Sequence, residues 1–260
     1  MLSILEKIST KSKSETIHDM ISQREKQQYC IVDFLYFANM IRNKLLKNWE
    51  KTSFEERYKK ALQKADFLLP DGIALQIFYW CATRWRNHLR LANCNGTDLT
   101  LPLLQALKKK YNKHCIISLY GWTNDIVKKS AQFLRNQWYT VCYMQDGYAT
   151  FDREKFIVAT KQFQTSCHIL LVGRGTPKQE IWVHDEQDQI QKHHLFVLCV
   201  GWLFDFWSGE EKRTPMVFRW WAERLRRLCI NPRKNAIKVR YSMSLFWYSI
   251  HYLLLKRRHN

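Results

Sequence analysis

The chain has 260 residues, of which 46% are hydrophobic, and it carries 42 basic and 23 acidic residues. The apolar fraction is enough to bury a full core, which excludes disordered chains and disulfide-dependent miniproteins. The formal net charge of +19 predicts a polyanionic partner, which could be a nucleic acid, an acidic membrane face or phosphate groups. The length is typical of one large α/β domain with at most a small appendage.

Short apolar runs alternate with helical patterns along residues 1–211. The predicted strands, in chain order, are 30–34, 67–69, 115–119, 140–144, 169–173 and 196–201. The predicted helices are 37–47, 54–63, 99–111, 125–137, 153–165 and 178–193. Continuous apolar strands separated by helices of about ten or more residues are typical of βαβ units. The pattern therefore predicts an α/β fold whose mostly parallel sheet is flanked by helices.

The positive charge is concentrated at the end of the chain. Residues 212–260 contain thirteen Lys and Arg and one acidic residue, so they hold twelve of the nineteen net charges. Residues 216–228 have the pattern of an amphipathic helix, with arginines opposite an apolar stripe. Aromatic and basic residues together favour a helix on an anionic membrane surface, and a domain-packing helix pair is the alternative. We therefore predict a core, 1–211, and a basic helical appendage, 212–260.

Targeting and metal-binding motifs are not visible in the sequence. No apolar stretch of about 20 residues is present and the first residues lack an apolar core, so we expect a cytoplasmic protein. The eight cysteines form no CxxC pair, which favours buried reduced thiols over a zinc site. No DxD triplet or dinucleotide fingerprint is present, so we predict neither a metal nor a cofactor.

Glycine-containing turns follow most of the predicted strands. The turns begin at Asp71-Gly72, Gly121-Trp122, Gly147-Tyr148, Gly173 and Gly201. Ligands bind at the carboxyl ends of parallel strands, and glycine allows close backbone approach, so these turns predict a nucleotide or phosphate-bearing substrate. Asp71, directly after a buried strand, is either a general base in a partly desolvated cleft or the cap of the next helix.

Six segments, which occur in the same order as in a known family, resemble the motifs of that family. They are ADFLLPDGIAL (65–75), NGTDLTLPLL (95–104), ISLYGWTNDIVKKSAQFL (117–134), DGY (146–148), ILLVGRGTPKQEIW (169–182) and VGWLFDFWSGEEKRTP (200–215). Together they resemble the WecG/TagA/CpsF glycosyltransferases. The resemblance implies a Rossmann-like fold and an inverting, metal-independent transfer of a sugar from a UDP-sugar. The acceptor that it implies is a sugar on a polyprenyl diphosphate at the cytoplasmic membrane, in cell-surface polysaccharide synthesis.

The resemblance also implies roles for individual residues. Asp71 is expected to be the catalytic base, and Gln179 is expected to act beside it by binding the sugar or phosphates. The implied donor-binding residues are Gly121, Gly147, Tyr148, Gly173, Lys178, Glu180, Gly201 and Asp205. The implied acceptor pocket contains Asn95, Thr97 and Asp98. The implied diphosphate and membrane contacts are Arg224, Arg227, Arg233 and Arg240.

The chain departs from the family pattern at several positions. The family's Gly-Gly doublets read Gly121-Trp122 and Gly201-Trp202, and these tryptophans are expected to reshape the pocket. Asn93 stands where the family often has a basic residue, three positions before the glycine of the NGTDL segment. The donor sugar and the acceptor sugar therefore stay open.

Other functions fit parts of the pattern. A nucleic-acid-binding protein would account for the charge and the aromatic residues, but it gives no reason for PDG, PKQE and FDF at strand ends, so we expect no nucleic-acid partner. An inactive subunit of a polysaccharide assembly is a second alternative, against which the retention of Asp71 and Gln179 argues. The apolar tail could also pack on another subunit, which leaves a homo-oligomer open.

Overall fold

A computed structural model of the chain describes residues 2–46, 52–83, 91–111, 115–161, 163, 167–211, 244 and 247–248. Within these ranges the strands are β1 (Cys30–Tyr36), β2 (Phe67–Asp71), β3 (Cys115–Gly121), β4 (Thr140–Gln145), β5 (Cys167–Gly173) and β6 (Leu195–Cys199). The helices are α1 (Leu2–Leu5), α2 (Lys13–Gln27), α3 (Phe37–Arg42), α4 (Ser53–Lys64), α5 (Ile73–Thr83), α6 (Gly96–Tyr111), α7 (Asn124–Asn136), α8 (Arg153–Lys161), α9 (Lys178–Asp185), α10 (Gln187–Lys192) and α11 (Leu203–Trp207). The predicted α/β fold is confirmed.

The strands form one sheet in the order β2-β1-β6-β5-β3-β4, and neighbouring strands in the described chain pair in parallel. Every residue of β3, β5 and β6 is buried, whereas β4 at the sheet edge is largely half-buried or exposed. Parallel strands that are covered on both faces read as continuous apolar runs. This burial explains why the central strands were predictable from hydrophobicity alone.

Helices cover both faces of the sheet. Ile169 and Leu171 of β5 pack into a core with α2, α6, α7 and α11. Leu170 and Val172 of the same strand pack on the opposite face with α8, α9 and α10. Successive side chains of a strand point to opposite faces, so one apolar run supplies both cores. The result is a doubly wound α/β sheet, in agreement with the expected Rossmann-like architecture.

Several helix boundaries differ from the prediction. The predicted helix 178–193 is two helices, α9 and α10, because Glu186 has a ψ of 10° and interrupts the regular turn. The predicted helix 37–47 ends at Arg42, since Lys44 adopts a left-handed φ of 51° and Leu45 donates its N–H to the Met40 carbonyl. The predicted helix 153–165 ends at Lys161.

The predicted appendage lies outside the described residues except for three isolated positions, and its boundary at residue 212 stays a prediction. Among the helices that the structure does describe, none is both long and apolar enough to span a bilayer. The seven cysteines within the described ranges are all free thiols, as expected, and five of them are buried.

Candidate functional site

The loops at the carboxyl edge of the sheet are joined by backbone hydrogen bonds. Trp122, after β3, donates its N–H to the Gly173 carbonyl at 3.0 Å and accepts the Gly147 N–H at 2.7 Å. Val200, after β6, donates to the Val172 carbonyl at 2.9 Å. The turns after β3, β4, β5 and β6, which are far apart in sequence, therefore form one continuous surface.

Three predicted donor-binding glycines in this surface pack directly on neighbouring chain segments. A Cβ at Gly121 would lie 2.4 Å from the backbone of Gly173, and one at Gly147 would lie 2.8 Å from the Cα of Gly121. A Cβ at Gly173 would lie 2.9 Å from the ring of Phe204. Close packing alone therefore requires glycine at these positions, and their contact with a donor stays a prediction.

Gln179 and Glu180 lie beneath this surface and are only 3% and 1% exposed. Gln179 donates from Nε2 to Glu180 Oε1 at 3.0 Å and to the Cys199 carbonyl at 3.2 Å. Thr176 donates its hydroxyl to the same Glu180 oxygen at 2.8 Å. Within the described structure Gln179 Oε1 has no hydrogen-bond partner, and it lies 3.6 Å from where a Gly201 Cβ would be. The carboxylate of Glu180 thus orients the amide of Gln179, and Oε1 faces Gly201 as an acceptor.

A second buried acid, Asp33 in the middle of β1, was not anticipated from the sequence. Burial, together with the nearby Asp33 carboxyl, raises the pKa of Glu180 to about 8. Burial likewise raises the pKa of Asp33 to about 7, although the Cys199 thiol and Lys7 oppose the rise. The signal that could have found Asp33 is a carboxylate inside an otherwise apolar strand, CIVDFLY.

Buried acids with raised pKa values make stability depend on pH. The folded state keeps protons that the unfolded chain releases, so the free energy of unfolding should fall as pH rises from 4.5, the ordinary pKa of Glu180, to about 8. Glu180→Gln keeps an acceptor for the Gln179 amide and removes one titrating group, so it should flatten this slope. Urea unfolding at pH 5 and pH 8, followed by circular dichroism, measures how far the free energy of unfolding falls between these two pH values.

The control for this substitution is Glu154→Gln, at an exposed position in α8. The free energy of unfolding of this variant should depend on pH as that of the unmodified protein does. An equal slope in the Glu180→Gln and Glu154→Gln variants would show that Glu180 does not retain a proton in the folded state.

Asp71 is half-buried at the end of β2, the first edge strand of the sheet. The carbonyl of Gly72 accepts the N–H groups of Leu75 and Gln76, so Gly72 occupies the N-cap position of α5 and Asp71 precedes it. The Gly72 N–H donates to Asn93 Oδ1 at 3.2 Å. Asn93, which departs from the family pattern, therefore holds the turn that carries Asp71.

The predicted acceptor residues form a polar cluster at the start of α6. Asn95 Oδ1 accepts the Asp98 N–H at 2.8 Å and the Thr97 hydroxyl at 3.1 Å, and Asn95 Nδ2 donates to Asp98 Oδ2 at 2.8 Å. Cys94 donates its N–H to the Pro70 carbonyl at 3.1 Å, which places the cluster beside the Asp71 turn. The structure thus brings Asp71 and these three residues together, although their contact with an acceptor stays a prediction.

The remaining predicted residues differ in accessibility. Tyr148 is 77% exposed after β4, and Lys178 is exposed at the first position of α9. Asp205 is buried in α11. The four predicted arginines of the appendage lie outside the described residues. In the part of the chain that is described, no group of three or more His, Cys, Asp or Glu could hold a metal ion.

The fold and the site together define a doubly wound α/β protein whose polar residues gather at the carboxyl edge of a parallel sheet, where this class binds its ligands. The family model described as "Glycosyl transferase WecG/TagA/CpsF family" matches residues 5–260. The chain therefore belongs to the WecG/TagA/CpsF family of glycosyl transferases, and the resemblance seen in the sequence is confirmed.

Three curated relatives share one name, N-acetylglucosaminyldiphosphoundecaprenol N-acetyl-beta-D-mannosaminyltransferase. The protein from Bacillus spizizenii is 28% identical over 185 residues, which cover 68% of this chain and 66% of the relative. The Bacillus subtilis protein is 28% identical over 182 residues, covering 67% and 65%. A Staphylococcus aureus protein is 27% identical over 193 residues, covering 71% of each chain. The chain thus spans about two thirds of the length of the Bacillus relatives.

Proposed function

We propose that the protein transfers a sugar from a UDP-sugar to a sugar carried on a polyprenyl diphosphate. The observation that carries the proposal is the position of Asp71, half-buried at the carboxyl edge beside the polar cluster of Asn95, Thr97 and Asp98. The relatives are named for an acceptor that is a sugar on a lipid diphosphate and for an N-acetylmannosaminyl donor. We extend the class of acceptor to this chain and leave the identity of the donor sugar open.

Asp71 acts as the general base in the proposed reaction. Its carboxylate takes the proton from the acceptor hydroxyl while that oxygen attacks the anomeric carbon on the face opposite UDP. The bond between the anomeric carbon and the diphosphate oxygen breaks, and UDP leaves with the electron pair. Because the attack comes from the opposite face, the configuration at the anomeric carbon inverts.

The departing UDP concentrates negative charge on its diphosphate. Lys178 presents an exposed ammonium group at the start of α9, where backbone N–H groups and the helix dipole also favour an anion. In the proposal, Arg224, Arg227, Arg233 and Arg240 add guanidinium groups that bind the diphosphates without a metal ion. Gln179 offers its buried carbonyl oxygen, oriented by Glu180, to a hydroxyl or N–H of a bound sugar.

The direct test is UDP release from a panel of UDP-sugars with short-chain polyprenyl-diphosphate sugars as acceptors, with and without EDTA. Acceptor-dependent release that persists in EDTA supports the reaction and its metal independence, and the best substrate identifies the donor. Release that EDTA abolishes would contradict metal independence. If no pair gives release, calorimetry with UDP separates a catalytically inactive assembly subunit, which still binds, from a chain that uses a different donor.

The basic appendage is proposed to hold the enzyme on the cytoplasmic face of an anionic membrane. Attraction of about 1 kcal/mol per basic residue near such a surface makes thirteen Lys and Arg a strong anchor. A chain ending at Glu211 should partition into vesicles at least about tenfold less and lose most transfer activity. Co-sedimentation with phosphatidylserine vesicles measures partitioning, and vesicles of neutral phosphatidylcholine are the control. Equal partitioning by the full and shortened chains would contradict the anchoring role.

A further inference from the structure

Trp122 has an unusual backbone conformation for a tryptophan. Its φ is 53°, in the left-handed region that side chains other than glycine rarely adopt. Both of its backbone polar groups are used, since the N–H donates to Gly173 and the carbonyl accepts from Gly147. The indole Nε1 donates to the Gly201 carbonyl at 3.0 Å. The surrounding loops therefore fix both the backbone and the ring of Trp122.

Trp138 provides an internal comparison. It also has a left-handed φ, of 63°, but it follows α7 and donates its N–H to the Arg135 carbonyl, as residues at helix ends commonly do. Its side chain is 85% exposed. The left-handed backbone of Trp138 is thus explained by its position after a helix. Trp122 has no such explanation, because it follows a strand and lies within the candidate site. Strained residues that their surroundings hold in place are concentrated at ligand sites.

Trp122 pairs with Trp202, the other tryptophan that stands in a family Gly-Gly doublet. The ring centroids are 6.1 Å apart with an interplanar angle of 66°, an edge-to-face arrangement. The carbonyl of Gly201, the residue before Trp202, accepts the hydrogen bond from the Trp122 indole. Trp202 itself is 39% exposed. The two rings, which we name the tryptophan wall, connect the loop after β3 with the loop after β6.

The order of the strands indicates which part of a donor the wall would meet. Adjacent strands lie about 4.8 Å apart, so β6 is about 10 Å and β3 about 19 Å from the strand of Asp71. A donor whose anomeric carbon reacts beside Asp71 has its sugar near β2 and β1. Its nucleoside then extends across the sheet edge towards β6, β5 and β3, where the wall is.

We propose that the tryptophan wall stacks against the uracil base of the donor, an inference that rests on the proposed UDP-sugar activity. A planar base and an indole ring offer complementary flat surfaces, and such stacking contributes substantially to nucleotide binding. Trp122 holds the wall in place through its bond to Gly201, and Trp202 presents the exposed surface. The tryptophans that depart from the family pattern would then determine how this chain recognises its donor.

Calorimetry with the full chain tests the wall with two ligands, UDP and 5,6-dihydro-UDP, whose saturated base is no longer planar. Trp202→Ala should weaken UDP binding about tenfold, and Trp202→Phe should restore most of it. The unmodified protein should prefer UDP to dihydro-UDP, and Trp202→Ala should lose that preference. Trp138→Ala, the matched control, should bind both ligands as the unmodified protein does.

A second variant tests whether weaker binding by Trp202→Ala results from misfolding. Trp122→Gly relieves the left-handed strain, so this variant should fold. It also removes the bond to Gly201, so it should bind UDP more weakly than the unmodified protein does. If Trp202→Ala and Trp122→Gly bind UDP normally, the inference is wrong while the proposed function stands. If they weaken only UDP-sugars and leave UDP unchanged, the wall contacts the sugar and the assignment to the base is wrong. If the unmodified protein binds no UDP, the proposed donor is wrong and the inference fails with it.

Discussion

Asp71→Asn is expected to reduce glycosyl transfer by about 10²–10⁴-fold, the usual contribution of a general base. The substitution keeps the size and an oxygen acceptor of the side chain, but an amide cannot take the proton from the acceptor hydroxyl. The turn should survive, because it is held by backbone groups, with the Gly72 N–H bonded to Asn93 and the Gly72 carbonyl accepting from α5. UDP binding, which the proposal places farther along the sheet edge, should change less than about twofold.

Asp66→Asn is the matched control. Asp66 directly precedes β2, so it lies at the opposite end of the same strand, about 16 Å from Asp71. Its carboxylate accepts the Ile31 N–H at 2.8 Å, and an asparagine oxygen can accept the same bond. Steady-state UDP release at saturating donor and acceptor compares the two variants. Near-normal turnover by Asp71→Asn would show that another group, or the solvent, takes the proton.

The strands were the most predictable elements because burial on both faces makes the central ones nearly continuous apolar runs. For a related reason α5 was anticipated only as the helix that Asp71 could cap, and its extent was not predicted. Its sequence, IALQIFYWCAT, is apolar at buried positions such as Phe78 and also at exposed positions such as Ile77, so no helical period is visible. α2 was missed although its signal was present, since Ser12 and Glu15 form the capping box that begins it.

The site could be predicted as a set of turns, but the orientation of its side chains could not. That Gln179 donates to the Cys199 carbonyl depends on where α9 meets the end of β6, which no local pattern encodes. Trp122 and Trp202, 80 positions apart in the sequence, are neighbours only because β3 and β6, the strands that they follow, are separated in the sheet by β5 alone. Parallel sheets bring together residues that are far apart in the chain. Sequence patterns therefore predict which residues lie at the carboxyl edge of the sheet, but they do not predict which of these residues are in contact.

Packing requires glycine at position 121, where the sequence also predicts contact with the donor. Its φ is 153°, and a Cβ would lie 2.4 Å from both the carbonyl carbon and the carbonyl oxygen of Gly173. Backbone atoms cannot move aside as the end of a flexible side chain can, so β3 and β5 would have to separate at their carboxyl ends. The hydrogen bond from Trp122 to the same Gly173 carbonyl would be disturbed as well.

Gly121→Ala is therefore expected to destabilise the protein by about 4 kcal/mol, the combined effect of overpacking and of an unfavourable backbone conformation. For a chain of this size that corresponds to a fall in Tm of roughly 10 °C.

Gly209→Ala is the matched control, because Gly209 also has a positive φ, of 81°, but nothing lies within 4 Å of its added Cβ. It should cost only about 1 kcal/mol. Thermal unfolding followed by circular dichroism compares the two, and equal Tm values would show that β3 and β5 can separate at this point without loss. In that case glycine at position 121 would have to be explained by the ligand, and the effect of Gly121→Ala on UDP affinity would decide it.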